Sequence, residues 1–215
     1  MVGKNTHDMT KDRILNTAEM LFAQKGFHGV TVREITKAAD CNLAAVNYHF
    51  GNKWNLYLAV FRHRWLPRAQ RVRESVLKNI EKHDPPARTD IVRALSQAFL
   101  EGPLADEEQV RHALLIIREL ARPTEAFDLV AEQALRPLFR LIADYLRPLM
   151  PAEQGETRLN LTIFSIFALI TYFNLARAAV THMTGQEYDQ DFKTLIVDHI
   201  TGFSLHGLGP DRDGK

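Results

Sequence analysis

Residues 31–53 read TVREITKAADCNLAAVNYHFGNK, and they set the fold of everything before them. Thr31-Val32-Arg33-Glu34 has the form of a capping box, in which a threonine caps a helix and the glutamate answers it from the third position. The helix it starts is expected to bury Ile35 and Ala38 and to end near Ala39. Asp40 then stands where a left-handed turn is expected, a geometry that aspartate tolerates better than most residues other than glycine. Asn42 caps a further helix that runs to about Phe50, and Gly51-Asn52 breaks it. That helix cannot be stable alone, because isolated helices need about 12–15 residues to persist in water. Val46 and Phe50 lock it to the rest. Its other face carries Asn42, Leu43, Ala44, Ala45, Asn47, Tyr48 and His49 and has little apolar bulk.

Upstream, Ile14, Leu15, Ala18, Leu21 and Phe22 form one apolar stripe at helical spacing. Thr10 is the expected N-cap and Gly26 the C-terminal stop. Three short helices, the last two joined by a tight turn, make the helix-turn-helix pattern. In that motif the second helix of the pair enters the DNA major groove. The polar face at 42–49 is suited to such a groove. Small residues allow close approach, Leu43, Ala44 and Ala45 can touch thymine methyls, and Asn47 can bond a base edge. Tyr48, His49 and Lys53 are suited to phosphate oxygens. A small trihelical core also needs aromatic packing, and Tyr48 could serve that instead.

Charge is distributed in keeping with a polyanionic partner. Residues 1–82 hold 14 Lys/Arg against seven Asp/Glu, and residues 83–215 hold 13 against 19, so a net charge of +1 hides a basic amino-terminal third. Five of those cations, Arg62, Arg64, Arg68, Arg71 and Arg73, fall within twelve residues, where a solvated helix face would also place them. The single cysteine, Cys41, allows no intrachain disulfide and suits a cytoplasmic setting. The amino terminus lacks the apolar run of a secretory signal. Leu159 to Ala176 contains no charged residue, the lower limit of a membrane span; Asn160, Thr162, Ser165, Thr171 and Asn174 interrupt it, and a buried core helix is the expectation.

The remainder reads as helix throughout. A long helix from Asn52 or Lys53 towards Lys82 contains Pro67, which should kink or break it, and Asp84-Pro85-Pro86 reads as a linker. Further helices are expected at about 87–101, 106–121, 125–149, 155–182 and 189–206, with Pro137 interrupting the third. The chain is all-α, with a helix-turn-helix segment at 1–53, a connecting helix at 54–82, a further helical segment at 83–207 and a disordered tail at 208–215. No Walker-type, dinucleotide-binding, H-E-x-x-H or G-x-S-x-G motif occurs, so catalysis and cofactors are not expected. Nor is a metal: Asp198-His199 and His206 lie two turns apart.

The run from Thr31 to Tyr57, with its capping box, alanine pair, Y-H-F and lysine after a short break, resembles the amino-terminal signature of the TetR family of transcriptional regulators. The match covers about residues 10–57. It implies that Thr31 and Arg33 sit near the phosphates and groove, with Ala44, Ala45, Asn47, Tyr48, His49 and Lys53 completing the DNA face. Two residues depart from the family pattern: Asp40 stands where glycine is usual, and Leu43 where a polar or basic residue is common. The resemblance also implies a homodimer on a palindromic double-stranded DNA operator, repression, and a carboxy-terminal domain that holds a small, largely apolar effector. The segments RELARPTEAF and FNLARAAV are similar to the branch typified by a regulator of cefoperazone and chloramphenicol sensitivity.

Residues that could line an effector site are Phe99, His112, Ile116, Arg118, Glu119, Phe139, Phe164, Phe167, Tyr172, Asn174 and Arg177, each of which could equally be core packing or an internal ion pair. Arg118, Asn174 and Arg177 say most, because burying them without partners is costly. Phe192, Leu195, Ile196, His199, Ile200 and Phe203 share a stripe that, with the 155–182 helix, suits a dimer interface. Competing readings are a regulator of the same fold with no effector, governed by a protein partner or by abundance, and an all-α enzyme or peripheral membrane protein using the 159–176 helix.

Overall fold

The structure, a computed structural model, describes residues 2–150 and 155–206, with side chains from Asp8 onward; the tail at 208–215 lies outside these. Among them every regular element is helical. In chain order they are α1 (Val2–Lys25), α2 (Val32–Ala38), α3 (Leu43–Phe50), α4 (Lys53–Val60), a π-helical turn at Phe61–Trp65, α5 (Leu66–Ile80), α6 (Arg88–Leu100), α7 (Asp106–Ala121), α8 (Glu125–Val130), a second π-helical turn at Ala131–Leu135, α9 (Arg136–Leu146), a 3-10 turn at Arg147–Leu149, α10 (Gly155–Leu175), α11 (Arg177–Thr184) and α12 (Gln190–His206).

Packing divides the chain into two units, Met1–Ala69 with Val110–Gln133, and Gln70–Gln109 with Ala134–Lys215. These cut across the segments expected from the sequence, since 110–133 groups with the amino-terminal helices. The reason is a set of contacts between residues far apart in the chain. Trp65 Nε1 donates to the carbonyl of His112 at 2.9 Å, and the two rings stack at 4.2 Å. The Tyr57 hydroxyl donates to Glu119 at 2.6 Å. Around them Ile14, Leu15, Ala18, Phe22, Ile35, Val46, Leu56 and Phe61 close the core of the first unit.

Several expectations are corrected. Thr10 does not cap α1, which already runs from Val2. In α2 and its C-cap the inward positions are Ile35, Thr36 and Ala39, and Ala38 is exposed; so short a helix can aim only one i, i+1, i+4 set inward. Pro67 breaks nothing. The preceding turn widens to π geometry, with the Leu66 amide donating to the Phe61 carbonyl. The His63 carbonyl, which a proline at i+4 cannot serve, accepts instead from the Arg64 guanidinium at 3.2 Å. Pro137 repeats the arrangement, two residues beyond the second π turn.

In the second unit α6 and α12 pair along their lengths, with α9 and α10 against them, burying Ile91, Leu95, Ile142, Ile163, Ile170, Ile196 and Ile200. The helix expected at 155–182 is interrupted at Ala176. The carbonyls freed there are taken up by side chains: Phe173 accepts from the Tyr188 hydroxyl at 2.9 Å and Asn174 from Arg177 Nε at 3.2 Å. Helix α10 is long and apolar enough to cross a membrane, yet it is not buried all round as expected; only 28% of its apolar window is covered within the chain. The Phe192–Phe203 stripe likewise divides, with Phe192, Ile196 and Ile200 buried and Leu195, His199 and Phe203 exposed.

One buried ion pair ties α1 to the start of α5. Glu19 accepts from both terminal nitrogens of Arg68, one at 3.2 Å, and Arg111 stands 4.0 Å away. Removing one member of such a pair strands a charge, which costs about 3–5 kcal/mol. Arg68→Met should therefore lower the stability of the purified protein by about 3–5 kcal/mol in urea unfolding followed by circular dichroism.

Candidate nucleic-acid interface

The geometry of α2 and α3 is built almost wholly by short-range polar contacts. Thr31 and Glu34 form the capping box in full: the Glu34 amide donates to Thr31 Oγ1 at 3.2 Å, and Thr31 N and Oγ1 donate to Glu34 Oε2 at 2.7 and 2.9 Å. Lys25 braces the other carboxylate oxygen at 2.9 Å. Asp40 adopts φ 47°, the left-handed conformation its position calls for. Its carbonyl accepts from the Arg13 guanidinium at 2.8 Å, so α1 holds the turn in place. Asn42 Oδ1 accepts from the Ala45 amide at 2.9 Å and starts α3, and Asn52 Oδ1 does the same for α4 through Asn55 at 2.8 Å.

The expected DNA-reading residues are brought onto this frame. Val46 and Phe50 are buried, whereas Asn42, Leu43, Ala44, Asn47 and Tyr48 are exposed and Ala45 and His49 are half-buried. Tyr48 is 75% exposed, so it does not complete the trihelical core. Arg33 is exposed and carries no ion pair among the described residues. Lys53 sits at the start of α4 with its ammonium 4.2 Å from the Phe27 ring centre; burial draws it below the usual lysine range and the Glu34 charge opposes that. Thr31 and Asn42 spend side-chain bonds on helix caps, which makes them positioning groups as well as candidate contacts. Burial pushes the Cys41 thiol up, against the Arg13 charge, so it stays protonated and packs. Arg13 and Lys25 are not singled out by the sequence, and Asn52 is marked there only as part of the Gly51-Asn52 break and not as the cap of α4.

The candidate effector residues fall into separate groups. His112, Ile116 and Arg118 belong to the first unit, and Phe99, Phe139, Phe164, Phe167, Tyr172, Asn174 and Arg177 to the second. His112 is buried against Trp65. Arg118 closes the end of α1, donating to the carbonyls of Ala23 and Gln24 at 3.1 and 2.8 Å. It lies so near Gly26, whose φ is +74°, that a Cβ there would meet it at 3.0 Å. Glu119 is held by Tyr57 and Thr124.

In the second unit, Phe139 stands 4.5 Å from Phe164 and 5.3 Å from Phe167, which meets Phe99 at 5.4 Å. Asn174 donates to the Phe99 carbonyl at 3.1 Å, and Arg177 bonds both Gln109 and Asn174 at 2.7 Å and pairs with Asp106 at 3.2 Å. Lys193 reaches the same carboxylate at 2.6 Å and, as the larger influence, holds Asp106 below the usual range. Tyr172 is exposed. Among the described residues no group of His, Cys, Asp and Glu could hold a metal ion.

The α1–α3 arrangement defines a DNA-binding transcriptional regulator of the helix-turn-helix type. Residues 14–60 match the pattern of the bacterial regulatory proteins of the tetR family, and residues 89–208, more than half the chain, match the C-terminal domain of the HTH-type transcriptional dual regulator CecR. The chain belongs to the TetR family, in the group that shares the CecR C-terminal domain. It is 26% identical to CecR of Shigella flexneri over 202 residues, 90% of this chain and 89% of that protein. To the probable regulator YttP of Bacillus subtilis it is 55% identical over 47 residues, 22% of this chain and 23% of that one. Other relatives are named repressors, and one a negative transcriptional regulator. Its fold is similar to that of a TetR-family regulatory protein from Rhodococcus RHA1, with a TM-score of 0.60, 18% identity and 93% and 97% of the two chains covered.

Lys25 first, then Thr31, holds the Glu34 carboxyl down to about 2, from an ordinary 4.5. A carboxyl whose folded pKa is depressed stabilises the fold above its unfolded pKa and loses that contribution as pH falls through the folded value. Glu34→Gln should lower the melting temperature at about pH 7, and the gap from wild type should close between about pH 4.5 and pH 2. Thermal melts across that range, read by circular dichroism, test this.

Proposed function

We propose that the protein is a cytoplasmic repressor that binds a palindromic operator as a homodimer and is released by a small, largely apolar effector. The observation that carries the dimer is the exposed apolar side of two neighbouring helices. On α10, Leu161, Phe164 and Tyr172 are exposed; on α12, Leu195 and Phe203 are. An open groove of about 660 Å³ runs between them, lined by Leu161, Ile166, Leu169 and Phe203 with Arg158 at one side. Contiguous apolar surface of this kind marks an interaction site. Two such helices from each of two copies would make a four-helix interface with two-fold symmetry. A two-fold protein in turn suits half-sites about 34–36 Å apart. The repressor assignment is supported by relatives that bear that name, and the apolar effector by the Phe99, Phe139, Phe164 and Phe167 set with Asn174 and Arg177 beside it.

Light scattering at micromolar concentration should give the mass of two chains; a monomer would overturn the dimer. On DNA, Asn47→Ala should alter base preference at one position per half-site by about 1–3 kcal/mol. Lys53→Ala should weaken all sequences alike and reduce the salt slope by about one. Fluorescence anisotropy on operator variants at several salt concentrations separates the two, and an Asn47→Ala protein with wild-type preference would remove Asn47 from the reading face. Adding candidate apolar compounds to the bound complex tests release.

A further inference from the structure

We infer that Leu43 is a specificity-determining residue that reads the 5-methyl group of thymine, and so requires a T·A pair at one fixed position of each half-site. This rests on the DNA-reading role proposed for α3. Leu43 is the first residue of that helix, the end that meets base edges in a helix-turn-helix. The residue before it has its side-chain oxygen committed, since Asn42 Oδ1 caps the Ala45 amide. That leaves Leu43 and Ala44 as the exposed side chains of the first turn, with Leu43 51% exposed.

A leucine has no donor or acceptor, so it can tell bases apart in one way only. Thymine carries the single apolar group on the major-groove edges, its 5-methyl. Against the amino groups of cytosine and adenine or the oxygen of guanine, the same side chain would displace water and return no bond, which penalises the wrong pair. The contact also needs a fixed position, and the frame supplies it. Arg13 pins the Asp40 carbonyl, Asp40 sets the left-handed turn, and Val46 and Phe50 seat the helix. On the same surface Arg33 is unpaired among the described residues, while the Glu34 carboxylate is neutralised by Lys25. A DNA backbone is therefore attracted beside an apolar tip.

The test uses the full-length protein. Selection from random duplexes yields a preferred site, in which each thymine is then replaced by deoxyuridine, which lacks only the methyl. One thymine per half-site should be sensitive, losing about fourfold in affinity, the equivalent of about 0.8 kcal/mol for a buried methyl. Leu43→Ala should erase the sensitivity at that thymine and at no other, and its exposed position keeps the fold intact by circular dichroism. Placing 5-methylcytosine there should bind wild type more tightly than cytosine does. If no thymine-to-deoxyuridine change weakens binding, or if Leu43→Ala remains equally sensitive at the same base, the inference is wrong while DNA reading stands. If selection enriches no sequence, the reading of α3 falls and this inference with it.

Discussion

A carboxylate that is almost wholly buried has to be met by donors, and Glu119 at 2% exposure imposes that requirement on its surroundings. Three groups meet it: the Tyr57 hydroxyl at 2.6 Å, and the Thr124 amide and hydroxyl at 3.1 and 2.7 Å. The tyrosine is held in its protonated form, first by burial and then by the carboxylate itself, so it remains a donor. Because Thr124 caps α8 and Tyr57 lies at the centre of the aromatic packing with Phe22 and Phe61, one acid joins the end of α7, the start of α8 and the heart of the first unit. Arg118, one residue earlier, points elsewhere and closes the carboxy-terminal end of α1, where a cation also suits the helix dipole. Adjacent residues thus hold two of the helices that frame the proposed reading face.

The proposed reading face itself depends on very little tertiary structure. Its two helices are seven and eight residues long. Each begins with a side-chain cap, and the turn between them is held by one backbone conformation and one guanidinium. Such a design places exposed side chains accurately without burying them, which a surface that must meet DNA requires. It also explains why polar residues of α2 and α3 divide into those that hold the frame and those, such as Asn47, whose side chains stand exposed.

What can be read in the sequence is what the chain decides over three or four residues. The Thr31–Glu34 box, the left-handed Asp40, the glycine stop at Gly26 and the inward pair Val46 and Phe50 all belong to that class, and so does the all-helical character. Recognition of the family rests on the same short run. The roles of His112, Arg118 and Arg177 are not legible, because their partners lie 47, 95 and 68 residues away in the chain. For the same reason, nothing local announces that 110–133 packs with the first unit. The interruption at Ala176 has no proline or glycine to mark it, and the side chains that take up its carbonyls are Arg177, next in the chain, and Tyr188, on the far side of α11. The prolines are visible, but their effect is not: steric conflict with the preceding turn can be relieved by widening the helix as well as by breaking it.

That relief has a consequence for how the chain can change in length. A π turn accommodates one residue more than an α turn over the same span, so Phe61–Trp65 and Ala131–Leu135 are each an insertion that the helix has absorbed. Deleting one residue from either would restore regular α geometry only by driving the ring of Pro67 or Pro137 into the carbonyl four residues before it. Each proline therefore acts as a ratchet on helix length: once it is in place the extra residue cannot be lost, and only joint removal of both returns a straight helix. Every side chain beyond the turn, Arg68 among them, takes its facing direction from that retained residue.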